Sequence, residues 1–173
     1  GIRFRPGMGR HFLDLHPREL TDRHVELPAF LGVRPDELAE ETGFLAQTEL
    51  LTHRLGTTLH RLDITPTPLD LALHSVQQNR EVWRVDTLSE LTGRSARQIE
   101  RAVMAQIGLP PKHLLRILRV QSTIAAIHRA PLRSLVDVAA MLGYSDQAHM
   151  NRDFRLLTGN TPAQYQLALA QKA

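Results

Sequence analysis

From Pro68 to the end of the chain, apolar residues recur at three- and four-residue spacings, broken at short intervals by glycine and proline. That period predicts several short amphipathic helices, seven in all, and no strand. In the first, Thr67 caps the helix and Pro68 opens it, while Leu69, Leu71, Leu73 and Val76 supply a buried stripe that ends near Asn79. Thr87-Leu-Ser-Glu90, Ser95-Ala-Arg-Gln98 and Thr161-Pro-Ala-Gln164 have the spacing of capping boxes, in which a hydroxyl and a carbonyl or carboxylate satisfy amides at a helix start. Gly93, Gly108, Gly143 and Gly159 fall where helices must stop, and glycine supplies the left-handed backbone that closes them. Lys112 to His128 reads as one long helix with Leu114, Leu118, Ile124 and Ala125 among its inward positions. Trp83 precedes the first capping box and reads as a core or staple residue.

Upstream the pattern is sparser. Leu62 to Leu69 holds two prolines within three residues and reads as a linker, which divides the chain into residues 1–63 and 64–173. Between Pro35 and Leu55, Leu38, Phe44 or Leu45, Leu51 and Leu55 outline one or two amphipathic helices. Ile2 to Pro6 has the look of a lone strand, the edge of a sheet whose remainder is not in this chain. With no initiator Met, the chain reads as a processed or truncated piece.

The C-terminal part contains a duplication. Leu88-Ser-Glu-Leu-Thr-Gly93 aligns with Val138-Ala-Ala-Met-Leu-Gly143 at an offset of 50. After one inserted residue, at an offset of 51, Ile99 meets Met150, Arg101 meets Arg152, Val103 meets Phe154, Gly108 meets Gly159 and Pro111 meets Pro162. The repeating unit is a short helix, a glycine turn and a longer helix, so the economical description is two helix-turn-helix units joined by a long helix. In such a unit the first helix braces the second, which presents its non-apolar face to the major groove of DNA. In the second copy Met150, Phe154 and Leu157 form the inward stripe, leaving Gln147, Ala148, His149, Asn151, Arg152 and Arg155 outward. In the first, Ile99, Val103 and Ile107 pack inward and Arg97, Gln98, Glu100 and Arg101 face out. These donor-rich side chains reach base edges and phosphates, arginine making bidentate contacts to guanine. Ser95 and Ser145 cap the two longer helices, whose N-terminal amides then hold DNA phosphates. The 17 residues from Lys112 to His128 span about 25 Å as a helix. With the width of a packed unit, the reading helices come near the ~34 Å of one DNA turn.

Charge agrees with this division. The net charge of +3 conceals 13 Lys and Arg against 7 Asp and Glu from Arg80 onward, and 8 against 11 before it. A basic C-terminal module suits a polyanion, although a solvated surface alone gives the same count. Of the 173 residues 42% are hydrophobic and 23% charged, the composition of a folded domain. No apolar run approaches the roughly 20 residues of a membrane span. The chain has no cysteine, which removes disulfides, thiolate catalysis and thiolate zinc sites and fits a cytoplasmic location. Nine histidines are scattered without metal-ligand spacing, and no catalytic motif is present. No enzyme activity, metal or cofactor is therefore expected.

Gly143-Tyr-Ser-Asp-Gln-Ala-His-Met-Asn-Arg-Asp-Phe154, followed by Leu157-Thr-Gly-Asn-Thr-Pro-Ala-Gln-Tyr165, resembles the closing segment of the AraC/XylS family of bacterial transcription regulators. The resemblance covers about Leu69 to Tyr165 and implies sequence-specific binding of double-stranded promoter DNA, usually with activation through RNA polymerase. Carried over by position, the family's base-reading sites fall on Arg97, Glu100 and Arg101, and on Ala148, His149 and Arg152. Gln147, Asn151 and Arg155 lie beside them. Val103 stands where the family usually has phenylalanine, Met104 where a basic residue is common and Arg94 where an apolar one is usual. These departures imply a first unit packed less tightly and held less strongly to phosphate. Gly1 to Gly7 and Glu19 to Leu27 resemble the tail of a sensor domain from one branch of the family. The fold expected is thus all-α, two helix-turn-helix units preceded by a mainly helical sensor remnant, with no small-molecule effector assigned. The acidic helices around Glu37 to Leu55 could pair two chains, although their ordinary role is packing on their own domain. The alternative reading is a helical protein-interaction module whose basic face binds an acidic partner.

Overall fold

The computed structural model describes residues 4–13, 16–21, 24, 32–62, 64–78 and 83–171. A 3-10 turn at Met8–His11 precedes ten helices: α1 (Pro17–Leu20), α2 (Pro35–Glu40), α3 (Phe44–Leu62), α4 (Pro68–Gln78), α5 (Val85–Thr92), α6 (Ala96–Ile107), α7 (Pro111–Arg129), α8 (Leu135–Met141), α9 (Gln147–Thr158) and α10 (Pro162–Ala170). No strand element occurs among the described residues, and the seven helices expected after Thr67 are present.

Two hydrophobic cores are strung along α7. The first gathers Leu69, Leu73 and Val76 of α4, Trp83, Leu88 of α5, Ile99 and Val103 of α6, and Leu114, Leu115 and Leu118 of α7. The second surrounds the C-terminal half of α7, where Ala126 meets Val138, Ala139, Leu142, Tyr144 and Met150. Beside it Val120 and Ile127 enclose Phe154, with Tyr165 and Leu169 of α10 against them. Each fully buried side chain of this size contributes roughly 1.5–3 kcal/mol. Helix α7 serves both cores by changing its buried face as it passes between them. Ala125 is therefore exposed, and Ala126 and Ile127 take the inward positions expected of it. Leu71 of α4 likewise points to solvent, at 58% exposure, because Leu69, Ala72, Leu73 and Val76 complete the stripe without it. Val103, where the resemblance implied a phenylalanine, is fully buried.

Capping follows the sequence at three starts and departs at two. Thr67 and Asp70 bond reciprocally at α4, as do Ser95 with Gln98 at α6 and Thr161 with Gln164 at α10. Thr87 does not cap α5: Trp83 is anchored in the core, the helix starts at Val85 after Arg84, and Thr87 lies within its first turn. Ser145 does not cap α9; its neighbour Asp146 does, accepting a bond from the His149 amide. Gly93, Gly108, Gly143 and Gly159 all have positive φ at helix ends.

The N-terminal segment packs on the first unit. Phe4 stacks on Phe12 with ring centroids 4.9 Å apart. The Arg10 guanidinium meets both carboxylate oxygens of Asp70 at 2.9 and 3.1 Å. Helix α1 lies on α6 where the chain leaves it, and a Cβ on Gly108 would sit 2.8 Å from the Pro17 carbonyl carbon and oxygen. The strand expected at Ile2 to Pro6 lies partly outside the described residues, and Phe4 and Arg5 are in no strand. The resemblance from Glu19 to Leu27 falls mostly outside them as well. Helices α2 and α3 contain no buried residue, and Phe44 and Leu45 are about three-quarters exposed, at 75% and 76%. Among the described residues these helices do not pack on their own domain as their apolar positions suggested.

Candidate nucleic-acid interface

Helix α6 is the second helix of the first unit. Burial of Ile99 and Val103 turns Arg97, Glu100 and Arg101 outward on one face. None of the three side chains makes a hydrogen bond or salt bridge with the described residues, so their charge is available to a partner. Gln98 is exposed but differently employed: its side-chain oxygen accepts from the Ser95 amide at 2.9 Å and from the Ser95 hydroxyl at 3.1 Å. It faces the cap.

Helix α9 repeats the arrangement with stronger support. Met150 and Phe154 are fully buried, and Ala148, Arg152 and Arg155 line the outer face at helical spacing, with Gln147 and Asn151 half-buried at its side. Leu156, 66% exposed, adds an apolar contact point that the charged pattern did not suggest. His149 occupies the same place in its helix as Gln98, three residues after the cap, and is half-buried. Its Nδ1 lies 3.2 Å from the Ser145 hydroxyl and its Nε2 3.6 Å from Asp153, with its ring edge-on to Tyr144. The amide of His149, bonded to Asp146, holds that carboxyl below its ordinary pKa despite some desolvation. An acid thus occupies the α9 N-terminus, where the phosphate site at Ser145 was expected; Ser145 donates to Asp146 at 3.1 Å.

Asp153 fixes α9 on the linker helix. Its side chain is 9% exposed and faces Arg116 Nε at 3.2 Å and Arg119 at 3.4 Å, both from α7. Arg119 also donates to the Gly143 carbonyl at 3.3 Å and lies over the Tyr144 ring, 4.4 Å from its centroid. Burial pushes the Tyr144 hydroxyl above its ordinary pKa, with Thr123 and Arg119 partly offsetting it. One arginine therefore ties the glycine turn, its aromatic plug and the reading helix to α7. These residues escaped the sequence reading, although a carboxylate between Met150 and Phe154 on the inward face requires a cationic partner. Arg152, for which Asp153 was the obvious neighbour, makes no salt bridge among the described residues.

Residues 88–168, from within α5 to within α10, match the protein family described as a helix-turn-helix domain. An HTH-type transcriptional regulator of Haemophilus influenzae is 28% identical over 103 residues, and the regulator MtrA of Neisseria gonorrhoeae 24% over 97. A regulator from Chromobacterium violaceum with an AraC-type DNA-binding domain superposes at a TM-score of 0.54, covering 61% of this chain and 95% of that one. Residues 88–168 have the helix-turn-helix fold of AraC-type DNA-binding domains. The DNA-binding domain of AdpA, solved in complex with a target DNA, has the same fold at a TM-score of 0.56 and 23% identity, covering 62% of this chain and 96% of that one. The chain spans about a third of the length of the curated relatives it matches. The matches cover 59% and 56% of this chain but 34% and 32% of the Haemophilus and Neisseria proteins. The relatives are transcription regulators and not enzymes. No group of three or more metal-ligating side chains occurs among the described residues, and none of their helices is long and apolar enough to cross a membrane.

Proposed function

We propose that this chain binds double-stranded promoter DNA sequence-specifically, inserting α6 and α9 into adjacent segments of the major groove, and thereby regulates transcription. The observation that carries the reading is the pair of duplicated helices whose outer arginines, Arg97 and Arg101 on one and Arg152 and Arg155 on the other, are solvent-facing and unpaired among the described residues. Such groups read guanine edges and hold phosphates. Base reading falls on Arg97, Glu100, Arg101, Ala148, Asn151 and Arg152, with Gln147 and Arg155 beside them. Gln98 and His149 act through the cap and the turn. Helix α7, with 19 residues about 28 Å long, sets the separation of the two readers. Activation through RNA polymerase is the sign we assign, supported by the F1 operon positive regulatory protein of Yersinia pestis, which is 29% identical over 83 residues.

The test is selection from random duplex DNA by the purified chain, followed by titration of the winning site against scrambled DNA at several salt concentrations. Two motifs about one helical turn apart, with a large specificity ratio, are expected. Weak binding equal for all sequences would overturn the reading in favour of a basic face for an acidic protein partner.

A further inference from the structure

Between the two units lies a cleft of about 430 Å³ whose walls are the first turn of α5 with the residues before it, one side of α7, and the inner side of α9. Among the described residues it is lined by Arg84, Lys112, Arg116 and Arg119 against two carboxylates, Asp86 and Asp153. Both acids are already engaged. Asp86 pairs with Arg84 at 3.2 Å, and Asp153 is shared between Arg116 and Arg119. Lys112 has no salt-bridge partner among the described residues, and Arg116 keeps 39% of its side chain in solvent. The cleft carries surplus positive charge that the described residues do not neutralise. The first turn of α7, which carries Lys112, has no side-chain cap from Pro110, so the positive end of its helix dipole is left without one.

The cleft's position tells what anion it meets. Its α9 wall, His149 and Asp153, lies in the first two turns of a reading helix, and its α5 wall is the start of a bracing helix, the element that crosses the DNA backbone. Resting on the DNA-binding reading above, we infer that this cleft seats the phosphodiester backbone running between the two major-groove segments, held by Lys112 and Arg116. Both residues lie on the linker helix, outside the two reading faces. They act as a sequence-independent clamp that fixes register while α6 and α9 select bases.

Lys112→Gln and Arg116→Gln, singly and together, test this on the selected site. Each lost phosphate contact should lessen the slope of log K against log salt by about 0.9, so the double variant should lose about 1.8. Its preference for the site over scrambled DNA should be unchanged. Ethylation of phosphates between the two motifs should interfere with wild-type binding and not with the double variant's. Lys112 is exposed and unpaired, so its variant reports on binding with the fold intact, and the melting temperature checks the Arg116 variant. If the wild type discriminates between sequences but the variants keep its slope, the clamp is wrong and the reading of α6 and α9 stands. A variant that loses base preference at an unchanged slope also overturns the clamp, making the cleft a support for α9. If the wild type shows no preference at all, the DNA-binding reading itself fails.

Discussion

Replacing Asp153 by alanine should uncouple the second reading helix from the linker helix. The carboxylate is the shared partner of Arg116 and Arg119 at 3.2 and 3.4 Å, with His149 at 3.6 Å. The two arginines do not count equally. Arg116 is 39% exposed, and a pair of that kind contributes about 0–1 kcal/mol. Arg119, at 14% exposure, makes a charge-assisted bond to a nearly buried acid, for which about 1.5–3 kcal/mol is typical. Its loss leaves a guanidinium partly buried over Tyr144 with only the Gly143 carbonyl to receive it. The sum is about 1.5–4 kcal/mol, a fall in melting temperature of roughly 3–16 °C for a chain of this length. The assay is thermal unfolding of Asp153→Ala, Arg119→Met and the double variant. A coupling of more than about 1 kcal/mol in that cycle is expected. A melting temperature within 1 °C of wild type for Asp153→Ala, or a coupling near zero, would refute the claim that this acid fixes α9.

Three further outcomes follow from the same geometry. Arg152→Ala should cost about 1–3 kcal/mol on the preferred DNA site and relax one base position, measured by titration against single-base variants of the site; full affinity with the same preference would remove Arg152 from the readers. Gly108→Ala should destabilise by about 2–4 kcal/mol, because φ is +84° and the new methyl would lie 2.8 Å from the Pro17 backbone; an unchanged urea midpoint would show that α1 is not seated on α6 as described. Burial pushes the Asp70 carboxyl up, but its bonds from Arg10 and Thr67 bring it below its ordinary pKa. Because the folded value is the lower one, this stabilisation is complete above the unfolded pKa of about 4 and disappears as pH falls through the folded one. Asp70→Asn should therefore be less stable than wild type at pH 7, with the gap narrowing as pH falls below about 4, and a gap that does not narrow in acid would contradict the pairing.

The sequence was most legible where local chemistry decides the structure. The run from Lys112 to His128 marks α7 to within a residue at each end, and glycine at positive φ closes α5, α6, α8 and α9 where the pattern requires it. It was least legible where a long-range contact overrides a local motif. Thr87 to Glu90 has the spacing of a capping box, but burial of Trp83 starts α5 earlier. Ala125 fits a single inward stripe, yet α7 has two cores on different faces. The outward face of α9 was readable from Met150 and Phe154, whereas the direction of His149 depends on Asp153, Ser145 and Tyr144 around it. The partners of Asp153 lie more than 30 residues away, on a helix whose register against α9 no periodicity reveals. Helices α2 and α3 show the converse failure, since an apolar stripe indicates a helix without indicating what covers it.

The central claim is that one chain reads two groove segments at a separation fixed by α7. Its most direct test is the affinity for the selected site after insertion of half a helical turn, about five base pairs, between the two motifs. The account predicts that binding falls to that of an isolated motif, because a single packed helix cannot follow the second motif around the duplex. Unchanged affinity for the lengthened site would contradict it.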